Sequence, residues 1–524
     1  MRHRQTDVLI IGGGLSGMMA AKHLVDRSPL RPLIVADGQG ASPWVHGFNV
    51  PIGPGDSAEA FYQDTMVSGH GVNRPELARA LCNSAISCFE ELQALGLRFN
   101  RQGDGYQLLR PLGSSHPRVV SVGNETGPAI LAVLRASLTG RADWMAHGRA
   151  LRLRVEDGRV TGALVYDAAA SEWLTIAAGA VILACGGFCG IYPFSTNKRD
   201  SGGDGVAMAL EAGCRLTDME FIQFEPSAAV WPAPLRGTSV ITTMFYEGAV
   251  LRDRDSRRFM LERDPAQGER VNKDVMTREI ARIIRDGRGT AHGGVYFDAT
   301  AMDARRLRED YAAYVARYAR VDVDITREMM EIAPAPHTAL GGVVITQEAR
   351  TDIPGLYACG EVTGGLHGAD RLGGSAGLET LAFGRRAGES CAEDTLLPPR
   401  ETTGWDAWAR RILAAPGAPA DAQALRARMG RALAEGAGAL RTGEGLRAAL
   451  AELRAVRREA EAMGGEAFTR LRLLNDLTAA ELVCRGAYER RESVGCHTRL
   501  DHGEAAGRPY RLIQSRAGCV REDA

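Results

Sequence analysis

The sequence has no CxxC pair of cysteines and no long apolar run. Its ten cysteines are dispersed, so neither a disulfide framework nor an iron–sulfur cluster of its own is predicted. No run of about 18 apolar residues appears, which argues against direct insertion into a membrane. A strand pattern already begins at Asp7, too early for a signal peptide to precede it. We therefore expect a cytoplasmic protein whose electrons leave through another carrier.

The sequence also lacks an excess of either basic or acidic residues. The 63 basic and 64 acidic residues give a formal net charge of −1, so no long-range field favours nucleic acid or an anionic membrane as a partner. With 524 residues, of which 45% are hydrophobic, the chain can fill two or three domain cores. The composition is that of an ordinary globular protein.

A dinucleotide-binding pattern occupies the N-terminus. Residues 8–11 predict a buried strand and residues 18–24 a helix, and between them stands a GxGxxG motif formed by Gly12, Gly14 and Gly17. The glycines permit a tight turn, so that a pyrophosphate can rest on the amides at the helix start. A second predicted strand, 33–36, delivers Asp37, whose carboxylate suits the hydroxyls of an adenosine ribose. The motif alone does not separate FAD from NAD.

The most informative stretch covers residues 337–386, HTALGGVVITQEARTDIPGLYACGEVTGGLHGADRLGGSAGLETLAFGRR. It resembles the second FAD-contacting segment of the fumarate reductase, succinate dehydrogenase and L-aspartate oxidase flavoproteins. Other family-like segments occur in the same order: DTMVSGHGVNRPELA at 64–78, STNKRDSGGDGVAMALEAG at 195–213, MEFIQFEP at 219–226, RRFM at 257–260 and NDLTAAELVCRGAYERRESVGCHTRLD at 475–501. The resemblance thus extends over nearly the whole chain.

This resemblance implies an α/β fold with a bipartite Rossmann-like FAD-binding domain, an inserted α+β capping domain and a helical C-terminal domain. We expect the FAD-binding domain at 1–225 and 336–397. The capping domain is expected at 226–335, where about a hundred residues with helical patterning separate the two cofactor segments. From 398 the composition shifts to Ala, Arg, Leu and Glu, and the helical domain with its tail is expected to run to 524.

The resemblance also implies which residues contact FAD. The positions are Gly12, Gly14 and Gly17 at the pyrophosphate, Asp37 and Asp204 at the adenosine side, Glu361 near the ribityl or pyrophosphate region, and Ser375 and Leu378 where family backbone meets the flavin ring. Two alternatives stay open: Asp204 as a helix N-cap and Glu361 as a solvated loop acid. Ala41 stands where covalently flavinylated relatives carry a His, and His46 replaces the usual Gln. We therefore expect noncovalent FAD.

Family chemistry is hydride exchange between flavin N5 and the carbon β to a carboxylate. His337 and Arg371 match the two groups that grip the carboxylate and polarise it. His337 could instead cap the turn before Gly341, and Arg371 could belong to a surface salt bridge. His367 matches a recurrent family His that could equally be structural.

The residue that moves the proton departs from the family pattern. The family has an Arg at the start of a capping-domain helix, just before an Asp, and this chain has Lys273 there, with Arg278 one turn later. Lysine can serve as acid or base, whereas arginine is hard to deprotonate. The alternative is an exposed lysine at a helix start.

Two further departures concern the far end of the substrate. Glu225 stands where dicarboxylate enzymes have a His, and the segment containing Phe245 replaces their Thr-Glu and Gly-Arg-Gly elements. An anion and an aromatic surface there would disfavour a second carboxylate, so an apolar, aromatic or amine-bearing end is expected. The alternative pairs Glu225 with a local cation such as Arg236.

The sequence thus predicts an FAD-dependent oxidoreductase that reduces an enoate or dehydrogenates a small carboxylic acid, with fumarate and succinate as poor candidates. One alternative is an amino-acid oxidase of the L-aspartate oxidase type, which acts on a CH–NH2 group. The other is a flavoprotein subunit that docks on an iron–sulfur or other electron-transfer protein.

Overall fold

The structure, a computed structural model, describes residues 1–38, 40–111, 113–123, 125–400, 402–414 and 417–524. Its strands are β1 (Arg2–Ile11), β2 (Pro32–Ala36), β3 (Phe48–Asn49), β4 (Arg101–Gln102), β5 (Gly105–Tyr106), β6 (Val119–Val120), β7 (Asp143–Ala146), β8 (Gly148–Glu156), β9 (Arg159–Asp167), β10 (Glu172–Leu183), β11 (Leu216–Thr217), β12 (Ile222–Trp231), β13 (Val250–Arg252), β14 (Val295–Asp298), β15 (Met330–Ala339), β16 (Gly342–Val343), β17 (Leu356–Ala358), β18 (Tyr510–Ser515) and β19 (Gly518–Asp523).

The helices are α1 (Leu15–Arg27), α2 (Ala58–Ser68), α3 (Pro75–Ala94), α4 (Thr126–Ser137), α5 (Asp204–Ala212), α6 (Phe259–Arg263), α7 (Lys273–Ile283), α8 (Ala304–Asp310), α9 (Ala312–Ala319), α10 (Ser375–Glu393), α11 (Trp405–Leu413), α12 (Ala422–Gly436), α13 (Gly443–Ala462) and α14 (Ala467–Glu489). Among the described residues, no helix combines the length and the apolar character that a membrane crossing requires.

The central sheet has seven strands. Its order is β7-β2-β1-β10-β9-β8, and β17 adds to β10. Strands β7, β2, β1, β10 and β17 run parallel to one another, whereas β9 and β8 form an antiparallel extension. Strand β2, the end of β1 from Val8 to Ile11 and the end of β10 are buried apolar runs, as is typical of a parallel sheet covered on both faces.

Helices α1 and α10 lie close together beside this sheet. A Cβ at Gly388 would come within 2.2 Å of the Ala20 carbonyl oxygen, and one at Gly384 within 2.6 Å of the Ser16 carbonyl oxygen. Only glycine fits at such a contact. Two segments that are far apart in the sequence, one after β1 and one after β17, are thereby held against each other.

A second hydrophobic core lies between residues 229 and 332. It forms around the antiparallel sheet β12-β15-β14-β13 and helices α6 to α9. The predicted limits of the capping domain, 225/226 and 335/336, fall inside β12 and β15. The paired strands therefore continue from one region into the other without a linker.

The C-terminal region begins with helices α11 to α14, which fits the expected helical character. Its last part differs, because β18 and β19 form a hairpin that joins the short strands β11 and β16 in a four-stranded sheet. The hairpin ties the end of the chain to the region around Asp218, whose Oδ1 accepts the Leu512 amide at 3.1 Å.

Candidate active site

Four parallel strands end at the same edge of the central sheet. Gly12 follows β1, Asp37 follows β2, Ala184 follows β10 and Glu361 stands three residues beyond β17. In open α/β sheets the crevice outside the carboxyl ends of the strands is where ligands bind. The predicted cofactor residues of both halves of the chain therefore meet at one place.

The first turn after β1 has room only for glycine. Gly12 has φ +125°, and a Cβ there would lie 2.0 Å from the Ala184 carbonyl oxygen. A Cβ at Gly17 would lie 2.0 Å from the Gly12 carbonyl oxygen. Helix α1 begins after Gly14, which has no side chain to cap it, and its first turn contains no acidic residue. The Ser42 hydroxyl accepts the Leu15 amide at 3.0 Å, and the other amides at the helix start have no side-chain acceptor among the described residues. This leaves a helix start suited to a pyrophosphate, as FAD requires.

The second half contributes the start of α10. Gly374 has φ +82°, and the Asn49 side-chain amide donates to the Gly373 carbonyl at 2.8 Å and to the Ser375 hydroxyl at 3.1 Å. The side chains of Ser375 and Leu378 are fully buried. A contact with a cofactor at these positions would thus come from the backbone, in line with the sequence expectation.

The two predicted ribose acids, Asp37 and Asp204, lie on either side of one cation. Arg149 Nη1 is 3.2 Å from Asp37 Oδ2, and its Nε is 2.7 Å from Asp204 Oδ2. Asp204 is the first residue of α5, and the N-cap position belongs to Gly203. The N-cap alternative for Asp204 is therefore wrong, because its carboxylate bonds to Arg149 and to the Asn475 amide at 2.7 Å instead.

Glu361 is half-buried and anchored on the end of β15. Its Oε1 accepts the Thr338 hydroxyl at 3.1 Å and the Ala339 amide at 3.0 Å. Burial raises the pKa of its carboxyl to about 7 in spite of these hydrogen bonds. The alternative of a solvated loop acid is wrong, since the chain fixes one carboxylate oxygen against the strand that carries His337.

His337 stands at an irregularity in the pairing of β12 with β15. Gln223 pairs with Thr338 and Phe224 with Pro336, so His337 is an extra residue on its strand. Such a β-bulge re-aims a side chain and is common beside active sites. The Thr196 hydroxyl lies 2.8 Å from His337 Nδ1. His337 therefore belongs to a strand and does not cap the turn before Gly341.

The imidazole of His337 is neutral at ordinary pH. Its pKa is lowered to about 3, chiefly by burial; Glu225 opposes this shift, and the positive charges of Lys273 and Arg371 add to it. A neutral imidazole donates one hydrogen bond without requiring a counter-ion. The site can thus offer an anion a neutral donor from His337 and a charged fork from Arg371.

Arg371 is buried, with 7% of its surface exposed. Its Nη1 reaches only the Leu372 carbonyl, at 3.4 Å, and its Nε has no hydrogen-bond partner among the described residues. No carboxylate oxygen of the residues that the structure describes lies within 4.0 Å of the Arg371 guanidinium. The surface salt-bridge alternative is wrong. A buried guanidinium without a counter-ion is costly, so this cation suits an anionic ligand.

Lys273, the first residue of α7, forms an ion pair with Glu225 of β12. Its Nζ donates to Glu225 Oε2 at 2.6 Å. The Ser227 hydroxyl lies 3.0 Å from Oε1 of the same carboxylate. Burial raises the pKa of Glu225, but Lys273 and the other contacts outweigh it and hold that pKa below its usual value. Both alternatives are wrong here: Lys273 is not simply exposed, and Arg236 lies over the Phe194 ring.

Three other predicted residues point elsewhere. Arg278 forms its ion pair with the exposed Glu504, at 3.1 Å, so it is not a second candidate for proton transfer. Phe245 is buried and packs 4.7 Å from the Phe297 ring in the second core, where it cannot contact a substrate. His367 is also buried and lies 3.1 Å from Glu379 Oε2, which fits the structural role.

His46 and the capping helix α9 complete the site. Burial lowers the pKa of His46, and the charges of Arg317 and Lys273 contribute while Glu225 opposes them. Arg317 is half-buried, donates to the Ser239 carbonyl at 3.0 Å and lies over the Tyr314 ring at 5.1 Å. Among the described residues it has no ion-pair partner within 4.0 Å. Arg317 was not recognised from the sequence, although its spacing from Tyr314 places both on one helical face.

Comparisons with known proteins find relatives along most of the chain. Residues 7–376 match the FAD binding domain family, and residues 426–523 match the fumarate reductase flavoprotein C-terminal family. The chain is 38% identical to one subunit of the fumarate reductase (CoM/CoB) of Methanothermobacter marburgensis over 406 residues, which cover 76% of this chain and 74% of the relative. It is 30% identical to L-aspartate oxidase of Pseudomonas aeruginosa over 539 residues, covering 96% of each.

Solved structures give the same result. FrdA of E. coli quinol fumarate reductase superposes with a TM-score of 0.92 at 25% identity, covering 100% of this chain and 97% of FrdA. Mycobacterium smegmatis Sdh1 superposes with a TM-score of 0.89 at 28% identity, covering 100% of this chain and 94% of Sdh1.

Proposed function

Since the chain belongs to the fumarate reductase and L-aspartate oxidase family of FAD-dependent oxidoreductases, we propose that it adds or removes hydrogen across the carbon–carbon bond next to a carboxylate. When bound, FAD supplies the hydride donor or acceptor for the carbon β to that carboxylate. The observation that carries the proposal is the buried guanidinium of Arg371, which has no carboxylate partner among the described residues and whose charge helps to lower the pKa of the His337 imidazole.

These two side chains bind and orient the substrate carboxylate. The Arg371 guanidinium donates two parallel hydrogen bonds to it, and His337 donates a third from its neutral imidazole. Both groups also stabilise the negative charge that accumulates on the carboxylate oxygens when the β-carbon reacts. The surrounding burial excludes water and strengthens each of these interactions.

Lys273 handles the proton at the α-carbon. Its Nζ donates a hydrogen bond to Glu225 Oε2 at 2.6 Å, which holds the side chain in place. An ammonium group can give a proton to the α-carbon during enoate reduction, while the C=C bond becomes C–C and the hydride goes to the β-carbon. Glu225 keeps Lys273 in position through this hydrogen bond.

The charges around the site change which chemical group we expect at the end of the substrate distal to the bound carboxylate. Glu225 is neutralised by Lys273, and Phe245 lies in a core, so neither provides the anionic or aromatic surface expected from the sequence. Among the described residues, the unpaired cation near His46 is Arg317. We propose that the distal group is anionic or strongly polar, which returns dicarboxylates to the candidates.

The domain limits and the mode of cofactor attachment belong to the same proposal. We assign residues 1–225 and 336–397 to the FAD-binding domain, 226–335 to a capping domain and 398–524 to the C-terminal domain. The FAD is proposed to be noncovalent, because Ala41 offers no nucleophile at the attachment position. Acid precipitation should leave the yellow cofactor in the supernatant, and a flavin that stays with the protein pellet would contradict this assignment.

A second candidate is oxidation of an amino acid. The comparison that favours it is the match to L-aspartate oxidase along almost the entire chain. In that reaction the substrate amine would have to bind near a hydrogen-bond acceptor, and Glu225 is already occupied by Lys273. The first candidate therefore fits the site better.

We also propose that the chain has an electron-transfer protein as a partner. The relative from Methanothermobacter marburgensis supports this proposal, because its name describes it as one subunit of a fumarate reductase.

One experiment separates the candidates. The flavin of the purified protein is reduced anaerobically and then mixed with monocarboxylic enoates, dicarboxylic enoates and 2-imino acids prepared in situ. Recovery of the yellow absorbance with an enoate supports the first candidate. Recovery with imino acids alone, together with bleaching of the oxidised protein by an amino acid, supports the second and overturns the first.

A further inference from the structure

A single arginine on strand β8 joins the two acids at the predicted adenosine end of the cofactor site. Arg149 lies outside every motif recognised in the sequence. Its Nε is 2.7 Å from Asp204 Oδ2, its Nη1 is 3.2 Å from Asp37 Oδ2, and its Nη2 donates to the Asp200 carbonyl at 2.8 Å. All three nitrogens of the guanidinium are thus engaged with acceptors.

Each of these contacts fixes a different segment of the chain. Asp37 follows β2, Asp200 lies in the loop before α5, and Asp204 opens α5. The Asn475 amide of α14 binds the second oxygen of Asp204, at 2.7 Å. Asp204 is therefore held from both sides. Asp37, whose side chain is 40% exposed, is held by one oxygen, and no other described residue donates to its second oxygen.

The geometry explains why an arginine stands at this position. A planar guanidinium reaches three acceptors in fixed directions, whereas an ammonium is a point charge on a flexible stem. Arg149 is itself mostly buried, with 13% of its side chain exposed. Burial lowers its pKa, but Asp204 and Asp37 raise it above the usual value, so the cation is permanent.

We propose that Arg149 is the positioning residue for the adenosine half of FAD. It holds Asp37 and Asp204 at one spacing so that their carboxylates accept the ribose hydroxyls, and it removes the repulsion between the two carboxylates. The residue contributes to cofactor affinity through these acids and does not touch the reacting carbons. This assignment depends on FAD binding alone, so it stands or falls independently of the proposed substrate.

The test compares two flavins that differ in the adenosine half. The full-length protein is stripped of cofactor, and binding of FAD and of FMN is measured from the flavin fluorescence. Arg149→Met is expected to weaken FAD binding by roughly 10- to 100-fold, as for the loss of charge-assisted hydrogen bonds, and to leave FMN binding unchanged. Arg149→Lys is expected to lose most of the same affinity because it lacks the fork.

Arg154→Met is the matched control, since Arg154 lies on the same strand with similar exposure and pairs with Glu156. It should bind both flavins like the unsubstituted protein. Asp37→Ala serves as a second variant if Arg149→Met does not fold, and it too should lose FAD affinity selectively. Unchanged FAD binding in the variants, or an equal loss for FAD and FMN, would overturn the proposal.

Discussion

The Nζ of Lys273 lies 2.6 Å from Oε2 of Glu225, and this pair links the start of helix α7 to the middle of strand β12. The two residues are 48 positions apart in the sequence. Their pairing fixes the position of the proposed proton donor and balances the charge of the buried carboxylate. In the proposed function the substrate therefore meets the cations Arg371 and Arg317 instead of an anion.

Replacing Lys273 tests its role as the proton donor. Lys273→Met should lower kcat by roughly two to four orders of magnitude, the usual contribution of general acid catalysis, with a smaller change in KM. Lys273→Arg should recover part of the activity, because a cation still pairs with Glu225. Arg278→Met, on the same helix, should behave like the unsubstituted enzyme. Full turnover by Lys273→Met with an intact FAD content would remove Lys273 from the mechanism.

The neutral state of His337 predicts a pH dependence of stability. Its pKa is about 3 in the folded protein against an ordinary value of 6.5. Between these two values the unfolded chain takes up a proton that the folded protein does not bind. The free energy of unfolding should therefore fall as the pH drops from 6.5 towards 3. Urea unfolding across this range should show a shallower fall for His337→Asn, and parallel curves for the two proteins would refute the prediction.

Arg317 is predicted to select the distal group of the substrate. Arg317→Gln should lower kcat/KM for a dicarboxylic enoate by roughly 10- to 100-fold, the value of a hydrogen bond to a charged group. A monocarboxylic enoate of the same length should react as before. Arg320→Gln, at the exposed end of the same helix, is the control. Equal losses for both substrates would show that Arg317 supports the fold of the capping helix and does not recognise the ligand.

Phe245 is predicted to matter for stability and not for substrate choice. Phe245→Leu removes the ring that packs against Phe297 and should lower the free energy of unfolding by about 1–2 kcal/mol. The ratio of kcat/KM between aromatic and aliphatic enoates should stay the same. A changed ratio without loss of stability would place Phe245 in the substrate site after all.

Much of the fold follows from local sequence patterns. The glycines after β1, the apolar runs of β1 and β2 and the helical stripes of the C-terminal region depend on neighbours in the sequence, so periodicity reveals them. The hairpin β18-β19 was not expected, since it is stabilised by pairing with β11 about 300 residues earlier. Pairing at that distance leaves no signal within one short segment.

For the same reason, only part of the site could be predicted from the sequence. His337 and Arg371 belong to motifs, and in the structure the charge of Arg371 lowers the pKa of His337. Arg149 and Arg317 carry no motif, because their partners come from other strands and loops. Phe245 was misassigned because an aromatic residue in a short helical turn has the same pattern whether it faces a core or a ligand.

The carboxylate grip of Arg371 is tested most directly by anaerobic stopped-flow reoxidation of the reduced flavin. An enoate that reoxidises the unsubstituted enzyme is compared with its uncharged amide, and both are repeated with Arg371→Gln at equal FAD content. We predict that the enoate reoxidises the unsubstituted enzyme about 10²- to 10³-fold faster than the variant, and that the amide reoxidises neither protein. Reoxidation of both proteins at similar rates, or by the amide as well as the acid, would contradict this role of Arg371.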